Sequence, residues 1–361
     1  MKPLVPSLEA NPSVLAQGFY ENVHDRMDIV IAGESQAKDM ISTLLITGAT
    51  DGMAGILMGP PGGVKSGFLE YAPLLVEGTQ SDEIARLKGR VDVTPGQVLG
   101  KETRLKKVAD GVTSILSAKQ DPLINRYTRF ITADEANRTS PHLNNALLDL
   151  MQRGRIEAYE DGRPVEVEDI DLILAAINNY GTRHTFDLDP AHISRMALGA
   201  FVGIRRKGEL SSGGMSLLYS DKYDSNNQVD INDLAKDLST GYTRKHILKI
   251  RENIPQVLLS TEKKALIERL AVSALDRFEY DHEADGKHQR ALGLTIADGR
   301  FIKQMKKTSR VISMMKGNEK VEDTDVIDSF NFALTAKIGA IGHTALQTAE
   351  IIHDIFEEAA S

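Results

Sequence analysis

The 361-residue chain contains no cysteine. Disulfides, thiol nucleophiles and cysteine-held metals are thereby excluded, and the absence fits a reducing compartment. No apolar run approaches the ~18 to 20 residues that cross a bilayer, and the opening "MKPLVPSLEANPSVLAQ" has neither the basic start nor the apolar core of a secretory leader. The expectation is a cytoplasmic protein without membrane insertion. Positive charge is not in excess either: 43 basic against 51 acidic side chains leave a formal net charge of -8, which argues against binding to a phosphate backbone and makes nucleic acid an unexpected partner. The nine histidines form no HExxH and no close ligand cluster, and His282 and His288 in "DHEADGKH" read as a polar loop, so no structural metal is expected. No GxSxG elbow is present, so ester hydrolysis has no support. What remains is an ordinary globular balance, 41% hydrophobic and 26% charged, long enough for one large domain and a smaller one.

Periodicity organises the chain. Ala37, Met40, Ile41, Leu44 and Leu45 recur at helical spacing within Glu34 to Thr47. Gly55 to Met58 reads as a buried strand, and Lys65 to Tyr71 as a helix that Pro73 kinks or ends. "RVDVTP", "RFITADE" and "DIDLILAAINN" are further strand candidates, with helices expected at Asp110 to Ala118 and Leu143 to Met151. Strands alternating with helices imply a mostly parallel sheet covered on both faces. Near Arg205 the texture turns to Gly, Ser, Asn and Asp, the composition of a boundary loop. From Thr243 onward apolar residues keep helical spacing, ending in a helix from about Val326 to Glu357 that Gly339 or Gly342 could break. The expected division is residues 1–205 as an αβα core, 206–242 as a loop-rich junction and 243–361 as a helical domain.

Two segments carry chemistry. "GPPGGVKS" (Gly59, Pro60, Pro61, Gly62, Gly63, Val64, Lys65, Ser66) nearly spells a phosphate-binding loop. There successive backbone N–H groups and a helix N-terminus face the anion, a lysine reaches the outer phosphates and a hydroxyl holds Mg²⁺. Val64 stands where the motif has its last glycine. A β-branched residue is out of place there if the position needs positive φ and acceptable if it is already helical, which leaves both outcomes open. About 70 residues on, the apolar strand "FITA" ends in Asp134 and Glu135. A solvated acidic turn would look the same in isolation. Following the loop, the pair suits nucleotide hydrolysis: Asp134 to hold Mg²⁺ through water and Glu135 to polarise the attacking water.

"ADEANRTSPHLNNALLDLMQRGRI" resembles the acidic-strand segment of the MoxR family of AAA+ ATPases, and the resemblance runs through most of the chain. "IAGESQAKDMISTLL" is similar to the segment lining the family's adenine pocket, "GRVDVTPGQVLGKETR" to the stretch leading into its helix insertion, and "LAAINN" to the strand ending in the sensor asparagine, here Asn178. "DPAHISRM" resembles the helix end bearing the arginine finger, which implies Arg195, and counting back from "VEDTDV" implies Arg300 as the second sensor. The family commonly has alanine in place of the last loop glycine, so Val64 carries that departure a step further. Two other departures are Asn179 where a proline is usual and "IADGRF" without the usual lead-in to Arg300.

The resemblance implies an AAA+ αβα core with a mostly parallel sheet followed by a smaller all-α lid, with ATP and Mg as cofactors. It implies a homo-oligomeric ring, hexameric on the family's pattern, a protein client remodelled in a chaperone-like way, and an adaptor with a von Willebrand factor A domain. Two other readings stand beside it: a nucleotide-binding scaffold without turnover, motivated by Val64 and Pro73, and a nucleic-acid motor, which the acidic balance disfavours. Arg153 and Arg155 sit in an expected turn and hairpin with no assigned role.

Overall fold

The computed structural model describes residues 5–31, 33–60, 64–90, 92–109, 112–120, 122–160, 163–178, 188–203, 236–280 and 299–360. The N-terminal part runs α1 (Pro12–Val30), α2 (Ser35–Thr47), β1 (Ala54–Gly59), α3 (Val64–Tyr71), β2 (Ile84–Lys88), α4 (Pro95–Leu99), β3 (Lys101–Ala109), β4 (Val112–Gln120), β5 (Phe130–Asp134), α5 (Pro141–Arg153), β6 (Ile156–Glu160), β7 (Arg163–Val167), β8 (Leu172–Asn178), α6 (Pro190–Arg195) and β9 (Met196–Phe201). The C-terminal part is helical: α7 (Arg244–Asn253), α8 (Thr261–Tyr280), α9 (Arg300–Met315), α10 (Asp323–Ala340) and α11 (Ala345–Ala360). The fold is an α/β core with a helical C-terminal region.

Five parallel strands form the sheet in the order β2-β5-β8-β1-β9. β1 and β8 are buried along their whole length, as unbroken runs such as "LILAAIN" require when helices cover both faces. Register fixes the functional edge: Gly59 pairs with Asn178, and Lys88 pairs with Asp134, so the carboxyl ends of β1, β5 and β8 lie side by side. Ligands of open parallel sheets collect at that edge, where strands hand over to loops and helix N-termini.

Several expectations are met. The helix before the loop, the strands ending at Gly59, Asp134 and Asn178, and the helix over Leu143 to Met151 are all present. Pro73 does end α3, whose last residue is Tyr71, and the chain continues as a 3₁₀ turn over Ala72–Leu75. The C-terminal helix breaks between Ala340 and Ala345, with Gly342 at φ 104°. Other expectations fail. The strand in this region is Ile84–Lys88, ahead of "RVDVTP". Of the segment read as a helix over Asp110 to Ala118, the described residues from Val112 on belong instead to β4, paired antiparallel with β3 from Lys101↔Gln120 to Ala109↔Val112. Val112, Thr113 and Ile115 are β-branched, and a neighbouring strand of matching length decides in favour of the ribbon. Helix α1 was not foreseen, although Leu15, Phe19, Val23 and Met27 repeat every four residues behind Pro12 and an Asn11 cap that accepts from the Ser13 N–H at 2.8 Å.

The two parts of the chain share one core. Leu15, Phe19, Leu44 and Phe68 lie in the same apolar cluster as Ile250, Phe301, Val326 and Ile355. Helix α10 lies along β9 so closely that a Cβ on Gly199 would come within 2.5 Å of the Ala336 Cα. Among the described residues no helix is long and apolar enough to cross a membrane. Residues 206–235, Pro61 to Gly63, Asn179, and the segment with His282 and His288 fall outside the described residues.

Candidate nucleotide site

The loop after β1 opens with Gly59, where a Cβ would stand 2.1 Å from the Val202 carbonyl oxygen, so only glycine permits this approach to β9. Helix α3 begins at Val64, which is absent from the non-glycine residues of positive φ (Glu34, Asp51, Glu135 and Asp169). A helical valine here is unstrained, which removes the main objection to the loop. Lys65 follows, its side chain folded inward: Nζ donates to the Gly59 carbonyl at 2.8 Å and the Pro60 carbonyl at 2.5 Å. Burial pulls this ammonium below the ordinary lysine value, against the opposing pull of Asp134 and Glu135. Pro60 lies close to Gly203, whose N–H donates to Glu34 Oε1 at 2.9 Å. Burial pushes the Glu34 carboxyl above its usual range, and that N–H and Lys38 oppose the push. The head of α2, the loop and the end of β9 are thus tied together.

The acid pair meets the loop. Ser66 Oγ donates to Asp134 Oδ2 at 2.9 Å across 68 residues of sequence, bringing a hydroxyl and a carboxylate oxygen to one point. Glu135 sits at φ 51°, held there by its own N–H donating to Asp134 Oδ1 at 2.9 Å. Gly89 makes this turn possible: a Cβ at that position would lie 1.9 Å from the Glu135 carbonyl oxygen, and its N–H donates to the Asp134 carbonyl at 2.7 Å. The Glu135 side chain is held between Asn178, whose Nδ2 donates to Oε1 at 3.1 Å, and Arg138, whose Nη1 donates to Oε2 at 3.1 Å. Asn137, buried, donates to the Asn178 carbonyl at 3.2 Å. Gly89, Asn137 and Arg138 were not singled out from the sequence. The "NR" one residue beyond Glu135 was the available signal for the last two; Gly89 had none.

Lys65, Ser66, Asp134, Glu135 and Asn178 therefore gather at one sheet edge. Arg195 and Arg300 do not join them. Arg195 ends α6 just ahead of Met196, which pairs with Ala54 at the start of β1. The five steps from Ala54 to Gly59 put it at the opposite end of the sheet, roughly 16 Å along the strand. Its Nη1 donates to the Ala191 carbonyl at 2.7 Å and its Nη2 to Gln152 Oε1 at 2.6 Å. Arg300 is beside it, donating from Nη1 to Ser194 Oγ at 3.0 Å. Arg153 and Arg155 frame the β6–β7 hairpin as expected: α5 ends at Arg153 with Gly154 left-handed, and Arg155 pairs with Glu166 at 3.3 Å. No group of three or more metal-ligating side chains is found among the described residues.

Residues 56–198 match the model of the ATPase family associated with various cellular activities (AAA), a match spanning β1 to β9 and less than half of the chain. No curated protein matches. Among solved structures, the chain is similar to a candidate ATPase from Cytophaga hutchinsonii ATCC 33406, with 19% sequence identity, 96% of each chain covered and a TM-score of 0.64. At that identity the likeness speaks for the fold. The segment from β1 to β9, with its loop and acid pair at one sheet edge, thus carries the sequence pattern of an AAA-type ATPase domain.

Proposed function

We propose that the chain is a MoxR-like AAA+ ATPase that hydrolyses Mg–ATP within a homo-oligomeric ring, a hexamer on the family's pattern, and uses the cycle to remodel or activate a protein client. A von Willebrand factor A domain adaptor fits the same reading. One observation carries it: Glu135 and Lys65 stand at the carboxyl edge of the sheet, while Arg195 and Arg300 stand together at the amino edge. A single chain holds two half-sites facing different ways, and a head-to-tail ring joins each half to its neighbour's. On this geometry Arg300 acts on the neighbour's nucleotide beside Arg195 rather than on its own.

The residues fit the cofactor. Ser66 Oγ and Asp134 Oδ2, 2.9 Å apart, are hard oxygen donors of the kind Mg²⁺ takes, and they would hold the ion, with Asp134 acting through water. Bound Mg–ATP supplies the transferable phosphoryl group and the countercharge for it. The loop backbone from Gly59 and Pro60 through Pro61, Gly62, Gly63 and Val64 would cradle the phosphates, with the Lys65 ammonium turned toward the outer ones. Glu135 would take a proton from the attacking water, and Asn178, bonded to that carboxylate, would report the γ-phosphate to it. Arg195 from the next chain would offset charge as the phosphoryl group departs. Division into a core (1–205), a junction (206–242) and a lid (243–361) belongs to the same proposal, with the C-terminal helices moving as the nucleotide changes.

The test is phosphate release at several protein concentrations, alongside nucleotide binding, for wild type, Glu135→Gln and Arg195→Ala. Specific activity should rise as subunits assemble, and both variants should bind ATP while turnover falls by about 10²-fold or more. Binding without phosphate release by assembled wild type would replace this reading with that of a scaffold. Salt-sensitive capture of DNA or RNA would point to a nucleic-acid motor.

A further inference from the structure

Helix α6, which carries Arg195, is six residues long, and besides its own caps it is held from α10 and α9. Lys337 of α10 is fully buried, and its Nζ donates to three carbonyls of the α6 terminus and the start of β9: Ile193 at 2.8 Å, Ser194 at 2.9 Å and Met196 at 2.8 Å. An ammonium has three N–H donors, and these three acceptors match them in number. A cation at a helix C-terminus also meets the negative end of the helix dipole, and here the contact is dry. From α9, Gln304 Nε2 donates to the Ser194 carbonyl at 3.4 Å and to the Gly52 carbonyl at 2.8 Å. Burying an ammonium is costly unless its donors are met, and here carbonyls at the end of α6 and the start of β9 meet them, which fixes that end of the helix on α10.

We infer that Lys337 is a positioning residue: by clamping the carboxyl end of α6 to α10, it aims Arg195 at the neighbouring subunit's nucleotide. The inference rests on the reading that Arg195 acts between subunits. It makes the C-terminal helices the part of each subunit that sets its neighbour's hydrolysis, through α10 rather than through contact with that nucleotide. A shift of α10 along β9 would pull the Ile193 and Ser194 carbonyls against Met196, which stays in the sheet, and change the aim of Arg195.

Complementation in mixed assemblies tests this. Lys337→Gln alone should bind ATP normally but lose turnover by up to about 100-fold, the scale of a small misplacement of a catalytic group. Its own Lys65, Asp134 and Glu135 remain sound. Mixing it in equal amounts with Glu135→Gln, which keeps a correctly aimed Arg195, should restore hydrolysis at about one site in four, those where a Lys337→Gln subunit faces a Glu135→Gln donor. A loss of stability alone would not be rescued by such a partner. Arg195→Ala mixed with Glu135→Gln is the control. If the control fails to recover, the inter-subunit reading falls and this inference with it. If the control recovers and the Lys337→Gln mixture does not, or if Lys337→Gln alone keeps wild-type turnover, Lys337 does not aim Arg195. Should Lys337→Gln fail to fold, Gln304→Met, which removes only the lateral contact to the Ser194 carbonyl and Gly52, enters the same mixtures with the same expectations.

Discussion

Val64 shows how a departure from a motif is weighed: what matters is the backbone conformation at the position, not the letter. Helical from its first residue, α3 accepts a β-branched side chain there, and Val64 packs against the core. Val64→Gly, the change toward the consensus motif, should therefore leave phosphate release within about twofold and lower stability by ~0.5–1 kcal/mol, the cost of glycine in a helix. A several-fold faster variant would mean that valine hinders the loop after all, which kinetics and thermal unfolding together decide. Lys307 gives a second prediction. Its Nζ donates to Thr50 Oγ1 at 2.8 Å with Asp51 at 3.8 Å, and burial pulls the ammonium down to about 8, assisted by Arg251 and opposed by Asp51. Between about pH 8 and the ordinary 10.5, the unfolded chain holds a proton that the folded chain has released, so stability rises with pH across that window. Below it the folded state bears the cost of the charge. Lys307→Met removes this slope, and its stability advantage over wild type near pH 7, at most about 3 kcal/mol, should shrink through that window and vanish above about pH 10.5 in urea titrations.

At the level of elements, Gly199 decides how α10 meets the sheet. Gly199→Ala would bring a methyl group within 2.5 Å of the Ala336 Cα, backbone that cannot swing aside. Unfolding should become easier by about 1–3 kcal/mol, measured by denaturant titration, and the effect should be absent if α10 and β9 can separate without penalty. The same elements mark where the sequence was readable. Buried strands such as "LILAAIN" announce themselves because continuous apolar runs and terminal functional residues coincide, so the β1, β5 and β8 ends and the five residues gathered there could be anticipated. The β3–β4 ribbon could not, because its identity depends on a partner strand rather than on local spacing. Arg300 was identified by alignment to a motif, but its position beside Ser194 is set by α9 packing on α6, a tertiary contact that no local pattern encodes. Gly89 matters only because the Glu135 carbonyl approaches it, and Lys337 only because α10 crosses the end of α6.

Across the whole molecule, Asp171 is the joint between the sheet and the C-terminal helices. Its buried carboxylate accepts from Arg129 Nη2 at 2.7 Å, Arg244 Nε at 3.1 Å and Arg251 Nη2 at 3.0 Å, and Arg251 also donates to the Leu45 and Ile46 carbonyls at the end of α2. Asp171→Ala leaves three guanidinium groups without their shared acceptor and should cost ~3–5 kcal/mol, read as a lower denaturation midpoint with one cooperative transition. Two separated transitions would mean instead that the helical part unfolds independently of the sheet. The order of synthesis gives this joint a further consequence. Arg129 emerges from the ribosome before Asp171, but Arg244 and Arg251 follow it by 73 and 80 residues. Until they arrive, the nascent sheet has only one of the three cations that settle Asp171, and α10 is not yet there to cover β9. The buried carboxylate of Asp171 therefore gains its full set of cations only after most of the chain has been made, which ties completion of the core to the arrival of the C-terminal helices.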